Sequence, residues 1–298
     1  MSFLPDLRDC DVRLVASDLD GTLVTSDGEV SDRTRAALAR CRGLGVRVVL
    51  VTGRPPRWIG DSIAGLAHGD VAVCSNGAVL LDLTHGQILD VRPLTLPVAR
   101  EVVRRLEQIV PGAVFGVETL EGFRYEPGYR PHLPTKSFVT PARSGGPAPG
   151  EGSMAVDTRE DLLDGDPVVT KLLCRSSHGG WGADSLLALA REVLRGVAEP
   201  VHSSPTDPLL EVSARGVDKA TALTGLAALW QVSPCEVVAF GDMPNDVPML
   251  RWAGRGYAMA NAHPEATGAA DRTAPSCDED GVAQVLEQLI REGTIRQV

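Results

Sequence analysis

The sequence has no paired-cysteine spacing. None of its six cysteines, Cys10, Cys41, Cys74, Cys174, Cys235 and Cys277, stands in the C-x-x-C pattern of a metal or redox site. That scatter leads us to expect reduced, partly buried thiols, as in a cytosolic protein. The six histidines have no metal-pair spacing, and H-E-x-x-H does not occur. Positive charge is short: the formal net charge is -10, which argues against a nucleic-acid surface. A local cluster of donors and a metal can still hold a small anion against that field. No apolar run approaches membrane-spanning length, "VRVVLV" at 46–51 being no longer than a strand. The opening "MSFLPDLRDCDVRLVASD" carries acids early and lacks the apolar core of a signal peptide. We therefore expect a cytoplasmic protein with neither membrane nor nucleic-acid partner, a monomer or a homodimer. No internal repeat or extended low-complexity segment is evident.

What is present is an ordinary globular composition, 43% hydrophobic and 23% charged, over 298 residues, enough for two domains. "VRLVAS" at 12–17, "VRVVLVTGRP" at 46–55 and "VAVCSNGA" at 71–78 are short, β-branched and almost continuously apolar. Such runs fit strands buried on both faces of a parallel sheet. Between the first two lies "SDRTRAALARCRGLG", a helix with Ser31 as N-cap and Gly45 as its stop. The middle of the chain differs. It has a hairpin at 81–91, an amphipathic helix at 97–110, short strand-like pieces, a Pro/Gly/Ser-rich surface loop at 140–153, a strand "PVVTKLLCR" and a further helix. The α/β rhythm returns near 212 with a helix opening at Asp218, a buried strand "EVVAFGDMPND" and a terminal amphipathic helix.

This predicts an α/β protein: a Rossmann-like doubly wound parallel sheet core with an inserted α+β cap domain. Residues 1–85 and 211–298 form the core and 86–210 the cap, with linkers near 85–93 and 205–213. In such sheets ligands gather at the carboxyl ends of the strands. There the sequence puts Asp18, Asp20, Thr52 with Gly53, Asn76, and the group Asp242, Asn245 and Asp246, with Lys219 opening a helix nearby. Several carboxylates in one place repel one another unless a cation joins them. Oxygen ligands without Cys or His favour a hard ion such as Mg²⁺, which suits phosphate oxygens. A lysine and a threonine hydroxyl are natural partners for the remaining phosphate charge. One aspartate can attack phosphorus and a second can move the proton.

"DLDGT" at 18–22, "TGR" at 52–54, Lys219 and "GDMPND" at 241–246 are, in that order, similar to the four motifs of the haloacid dehalogenase-like phosphatases. "SNGA" at 75–78 and the stretch 260–286 resemble the Cof-type branch, which carries a type IIB cap. The resemblance implies Asp18 as nucleophile, through an aspartyl-phosphate, and Asp20 as general acid/base. It implies Thr52, Gly53, Lys219 and Asn245 around the phosphoryl group. Mg²⁺ would be held by Asp18, Asp20, Asp242 and Asp246, and the substrate would be a small phosphorylated metabolite. A sugar phosphomutase or a silent phosphometabolite binder would use the same core. Taken singly each motif also reads as ordinary turn chemistry; the ordered set carries the expectation.

Outside the motifs, Lys171 sits inside an apolar strand and needs a partner, so with Asn76 and Arg54 it is a candidate substrate contact. Arg57 is a candidate for substrate or for pairing with nearby acids. Tyr125, Tyr129 and Arg130 are candidate substrate contacts, although aromatics in short strands more often pack; His132, His178 and His202 are candidates for the substrate side of the cap, but read first as polar surface. Trp58, Trp230 and Trp252 are expected on helices against the sheet.

Overall fold

In the computed structural model the described residues are 10–60, 63, 66, 71–129 and 154–297; of 154 and 155 only the backbone is described. The loop expected at 140–153, with Arg130 and His132, lies outside them.

Two sheets organise the chain. The first runs β14-β13-β12-β1-β2-β3-β4-β5. Its parallel strands are β1 (Leu14–Ser17), β2 (Arg47–Val51), β3 (Val71–Cys74), β12 (Val237–Gly241), β13 (Arg255–Met259) and, at one edge, β14 (Arg272–Ala274). β4 (Val79–Asp82) and β5 (Ile88–Val91) add an antiparallel hairpin at the other edge. The continuous apolar runs have their physical reason here: β1, β3 and β12 are buried at every position, sandwiched between two apolar layers. From β1 the chain adds strands outward on one side, then returns to add β12, β13 and β14 on the other. The strand order reverses between β1 and β12, and in such sheets ligands bind at the carboxyl ends of the strands at that reversal.

The second sheet runs β10-β11-β9-β6-β7-β8 and is antiparallel except for β7 with β8. It comprises β6 (Ala113–Thr119), β7 (Phe123–Tyr125), β8 (Met154–Val156), β9 (Val169–Ser176), β10 (Ala198–Val201) and β11 (Leu210–Ala214). Helices α2 (Leu96–Ile109) and α3 (Ala183–Val193) cover one face, burying Val102, Leu106, Leu186 and Ala190 against Phe115, Leu172 and Cys174. The period-two alternation of β9 then turns Lys171, Leu173 and Arg175 to the opposite face. The expected breaks at 85–86 and 210–211 fall inside these sheets: β5 extends the first to Val91, and β11 keeps Leu210–Ala214 in the second.

Local signals behave as their chemistry dictates. Ser31 caps α1 (Asp32–Gly43) by accepting from the Thr34 amide. Asp218 and Thr221 form a capping box on α4 (Lys219–Leu229). Trp230 and Trp252 pack against the core beneath the sheet, whereas Trp58 lies on a short 3₁₀ turn under Arg57.

The cysteines depart from expectation. Cys10 and Cys235 are joined in a disulfide across 225 residues, and the other four are free and buried. Pairing of β1 with β12, with Leu14 opposite Val237, carries both cysteines to the amino-terminal edge of the sheet. Sequence spacing holds no trace of such a contact. Among the described residues no helix is long and apolar enough to cross a membrane.

Candidate active site

The carboxyl ends of β1, β2, β3 and β12 meet at one place. Asp18 follows β1 and is buried; its amide donates to the Phe240 carbonyl of β12 at 3.0 Å. Lys219, at the first turn of α4 and wholly inaccessible, donates to Asp18 Oδ1 and Asp246 Oδ1, both at 2.6 Å. Asp246 accepts from the backbone amides of Asp242 and Met243 with its other oxygen, at 3.0 and 2.9 Å. Asp242 accepts from the Thr22 hydroxyl at 3.1 Å. Asp18, Asp242 and Asp246 thus present carboxylate oxygens within 4.8 Å of one another.

Three buried carboxylates share one buried ammonium, so the cluster carries excess negative charge. Burial, partly offset by Lys219, raises the Asp18 carboxyl well above its usual range. Burial and then the Asp246 charge lift Asp242 to about 7. Burial works against the Lys219 charge, but Asp18 and Asp246 overcome it and raise its pKa. A hard divalent cation fits this donor set: it would supply the missing charge to oxygen ligands that share no Cys or His.

Two glycines allow the close approach. Gly21 has φ +80°, and a Cβ there would fall 2.4 Å from Asp242 Oδ2. Gly77 has φ +105°, and a Cβ would fall 2.3 Å from the Asp218 carbonyl that precedes Lys219. Only glycine lets the turns after β1 and β3 nest against these residues.

Asp20 differs from Asp18. Its side chain is 56% exposed at the mouth of the site, clamped by the forked guanidinium of Arg54 through both carboxylate oxygens. Thr52 is fully buried at the end of β2, its hydroxyl accepting from the Arg54 amide at 3.0 Å. Arg54 therefore meets Asp20 rather than standing free for a substrate.

The second sheet meets this edge through its uncovered face. Lys171 Nζ donates to the Gly53 carbonyl at 2.8 Å and to Glu211 Oε2 at 2.7 Å. Asn76 donates to the same Glu211 oxygen at 2.8 Å and accepts from Asn245 at 3.1 Å. Burial opposes the Glu211 charge, but Lys171 outweighs it and the carboxyl is lowered. Lys171 and Asn76, expected at the substrate, are thus consumed in a buried bridge between cap and core, and Asn245 Oδ1 is left buried without a partner. Arg57 pairs with Glu118 of β6 through both oxygens, a second bridge. Glu211 and Glu118 escaped the sequence reading. The signal was there for Glu211: in "LLEVSA", as for Lys171 in "VVTKLL", a charge interrupts a buried strand and needs an opposite partner.

Tyr129 packs with Phe123 and Tyr125 under Arg175. His178 is exposed. His202, read as surface, is fully buried beside Asp184.

Residues 15–126 and 189–286 match the family of haloacid dehalogenase-like hydrolases. The 5-amino-6-(5-phospho-D-ribitylamino)uracil phosphatase YwtE of Bacillus subtilis is 27% identical, over 94% of this chain and 98% of its own. The pyridoxal phosphate phosphatase YbhA of Escherichia coli is 26% identical over 92% and 97%. Among solved structures, the HAD subclass IIB sugar phosphatase BT4131 superposes with a TM-score of 0.72 at 18% identity, over 95% of this chain and all of that one. A haloacid dehalogenase-like hydrolase from Bacteroides thetaiotaomicron superposes at 0.67 with 27% identity, over 93% and 99%.

Proposed function

The chain belongs to the haloacid dehalogenase-like hydrolases, and we propose that it is a Mg²⁺-dependent phosphatase that hydrolyses small phosphorylated metabolites through an aspartyl-phosphate. The observation that carries this reading is the division of labour between two neighbouring acids. Asp18 is buried among Lys219, Asp242 and Asp246, where a charged nucleophile is held in place. Asp20 stands exposed at the mouth, where a leaving group and then a water can reach it.

In the first half-reaction a carboxylate oxygen of Asp18 attacks phosphorus. The ester P–O bond breaks, and the leaving oxygen takes a proton from the Asp20 carboxyl. In the second, water attacks the phosphoryl group, Asp20 receives its proton, and the bond to Asp18 breaks to release inorganic phosphate. Lys219 and the Thr52 hydroxyl compensate charge on the phosphoryl oxygens, with Gly53 leaving room for their approach. Asp18, the Asp20 main-chain carbonyl and Asp242 would hold the metal, with Asp246 and Asn245 completing the pocket. When bound, the metal neutralises phosphate charge that would otherwise repel the Asp18 carboxylate. Arg54 orients Asp20 through its fork. The cap, seated through Lys171 and Arg57, excludes water and selects the leaving group.

The relatives that act on pyridoxal phosphate and on a phosphoribitylamino-uracil support phosphorylated cofactors and their precursors as the first substrates to test, with sugar phosphates beside them. We place the enzyme in the cytoplasm on its four buried free thiols, with the Cys10–Cys235 pair as the discordant feature. The test is release of phosphate from such a panel, with Mg²⁺ and with EDTA. Metal-dependent release supports the reading. Interconversion of sugar phosphate isomers without release would replace it with a mutase.

A further inference from the structure

Away from the four motifs, a second group of ligating side chains spans the junction of cap and core. Asp184 lies in the first turn of α3 and His202 follows β10, both in the cap. His263 caps the short core helix α5 (Pro264–Thr267). Asp184 Oδ1 lies 2.9 Å from His202 Nε2 and 3.0 Å from His263 Nε2. The three ligand atoms lie within 4.8 Å of one another. The two rings meet edge to face with centroids 5.5 Å apart, so their Nε2 atoms converge while the ring planes stay clear.

We propose that Asp184, His202 and His263 form a second metal site, selective for a Zn²⁺-class ion and distinct in chemistry from the all-oxygen cluster at Asp18. Two imidazole nitrogens and one carboxylate suit Zn²⁺, Co²⁺ or Ni²⁺, and Mg²⁺ has little affinity for nitrogen. Three protein ligands leave at least one position open. The Asp184 carboxylate is 67% exposed, which gives an ion a route in, while the buried His202 and the largely buried His263 form the inner wall.

The hydrogen bonding fits such an exchange. The Asp184 carboxylate oxygen only accepts, so each ring Nε2 that meets it does so as the donor. His202 Nδ1 is buried with no partner, so nothing but solvation opposes the proton moving there once Nε2 binds metal. At His263, Nδ1 accepts from the Glu265 amide at 3.2 Å, a long contact that ligation would displace. An ion here would tie two cap residues to one core residue. It would reinforce the adjacent Arg191–Glu265 ion pair, at 2.9 and 3.0 Å, that crosses the same junction.

The experiment is calorimetric titration of the EDTA-stripped full-length protein with Zn²⁺ in excess Mg²⁺, which occupies oxygen-only sites. Co²⁺ is titrated alongside, because its visible spectrum reports nitrogen ligation. Asp184→Ala removes an exposed ligand, and His263→Asn removes an imidazole while keeping an N-cap side chain. We expect one Mg²⁺-resistant Zn²⁺ per chain, weakened in each variant by at least the ~10–100-fold that loss of a ligand's hydrogen-bond partner alone costs. Zn²⁺ binding that Mg²⁺ abolishes, or that both variants retain with wild-type affinity, would overturn the site. Binding is the readout, so the result does not depend on the phosphatase reading.

Discussion

Asp242→Asn should stabilise the metal-free protein at alkaline pH and abolish its response to Mg²⁺. The Asp242 carboxyl is lifted from 3.8 to about 7 by burial and by Asp246, against the Thr22 hydrogen bond. A raised acid pKa means that the folded state binds the proton more tightly than the unfolded chain. Below about pH 4 both states are protonated and the residue costs nothing. As pH rises the unfolded chain loses its proton first, and stability falls until the folded carboxyl ionises near 7. Roughly three pKa units at ~1.4 kcal/mol each set a ceiling of about 4 kcal/mol, and sharing protons with its acidic neighbours brings one residue's part to about 2–4. Asparagine keeps the acceptor for Thr22 and removes the charge. In EDTA at pH 8 the variant should melt above wild type by on the order of 5–10 °C, a gap that closes toward pH 4. Adding Mg²⁺ should raise the wild-type melting temperature and leave the variant unmoved. A variant that melts at or below wild type in EDTA at pH 8, or that gains as much from Mg²⁺, would refute the reasoning.

Other perturbations follow from the same contacts. Lys171→Met strands the Glu211 carboxylate, 4% exposed, and should cost about 3–5 kcal/mol in denaturant unfolding, with Lys171→Met/Glu211→Gln recovering a large part; equal losses in the single and double variants would show that the pair is not coupled. Gly21→Ala places a Cβ against Asp242 at a φ of +80° and should lose about 1–2 kcal/mol from backbone conformation alone, together with the Mg²⁺-induced rise in melting temperature. Thiol titration of the unreduced, denatured protein should find four thiols, and six after reduction, with Cys10→Ser lowering stability by about 2–4 kcal/mol; six thiols before reduction would remove the disulfide.

Much of the site was legible because burial and chemistry coincide in the sequence. β1, β2, β3 and β12 announce themselves as apolar runs, and the polar residues that end them are the ones the sheet assembles: Asp18, Thr52, Asn76 and Asp242. The N-cap at Ser31 and the helix start at Asp218 are local signals and were equally plain. What escaped depends on pairs distant in the chain. Lys171 advertised a need for a partner, but nothing local says that the partner is Glu211 and the Gly53 carbonyl rather than a substrate. The hairpin at 81–91 was legible, but its second strand β5, with three of four residues exposed, carries no apolar signal that it joins the first sheet rather than the cap. Cys10 with Cys235, and His202 with His263, meet only once strands and domains are assembled.

The most direct test is to mix the protein with a phosphate ester that it hydrolyses, quench with acid within a turnover, and map phosphorylated peptides by mass spectrometry. A phosphoryl group on Asp18, formed in the wild type and absent from Asp18→Asn, is the predicted result. Turnover that persists in Asp18→Asn, or a phosphoryl group on another residue, would contradict the assignment of Asp18 as the nucleophile.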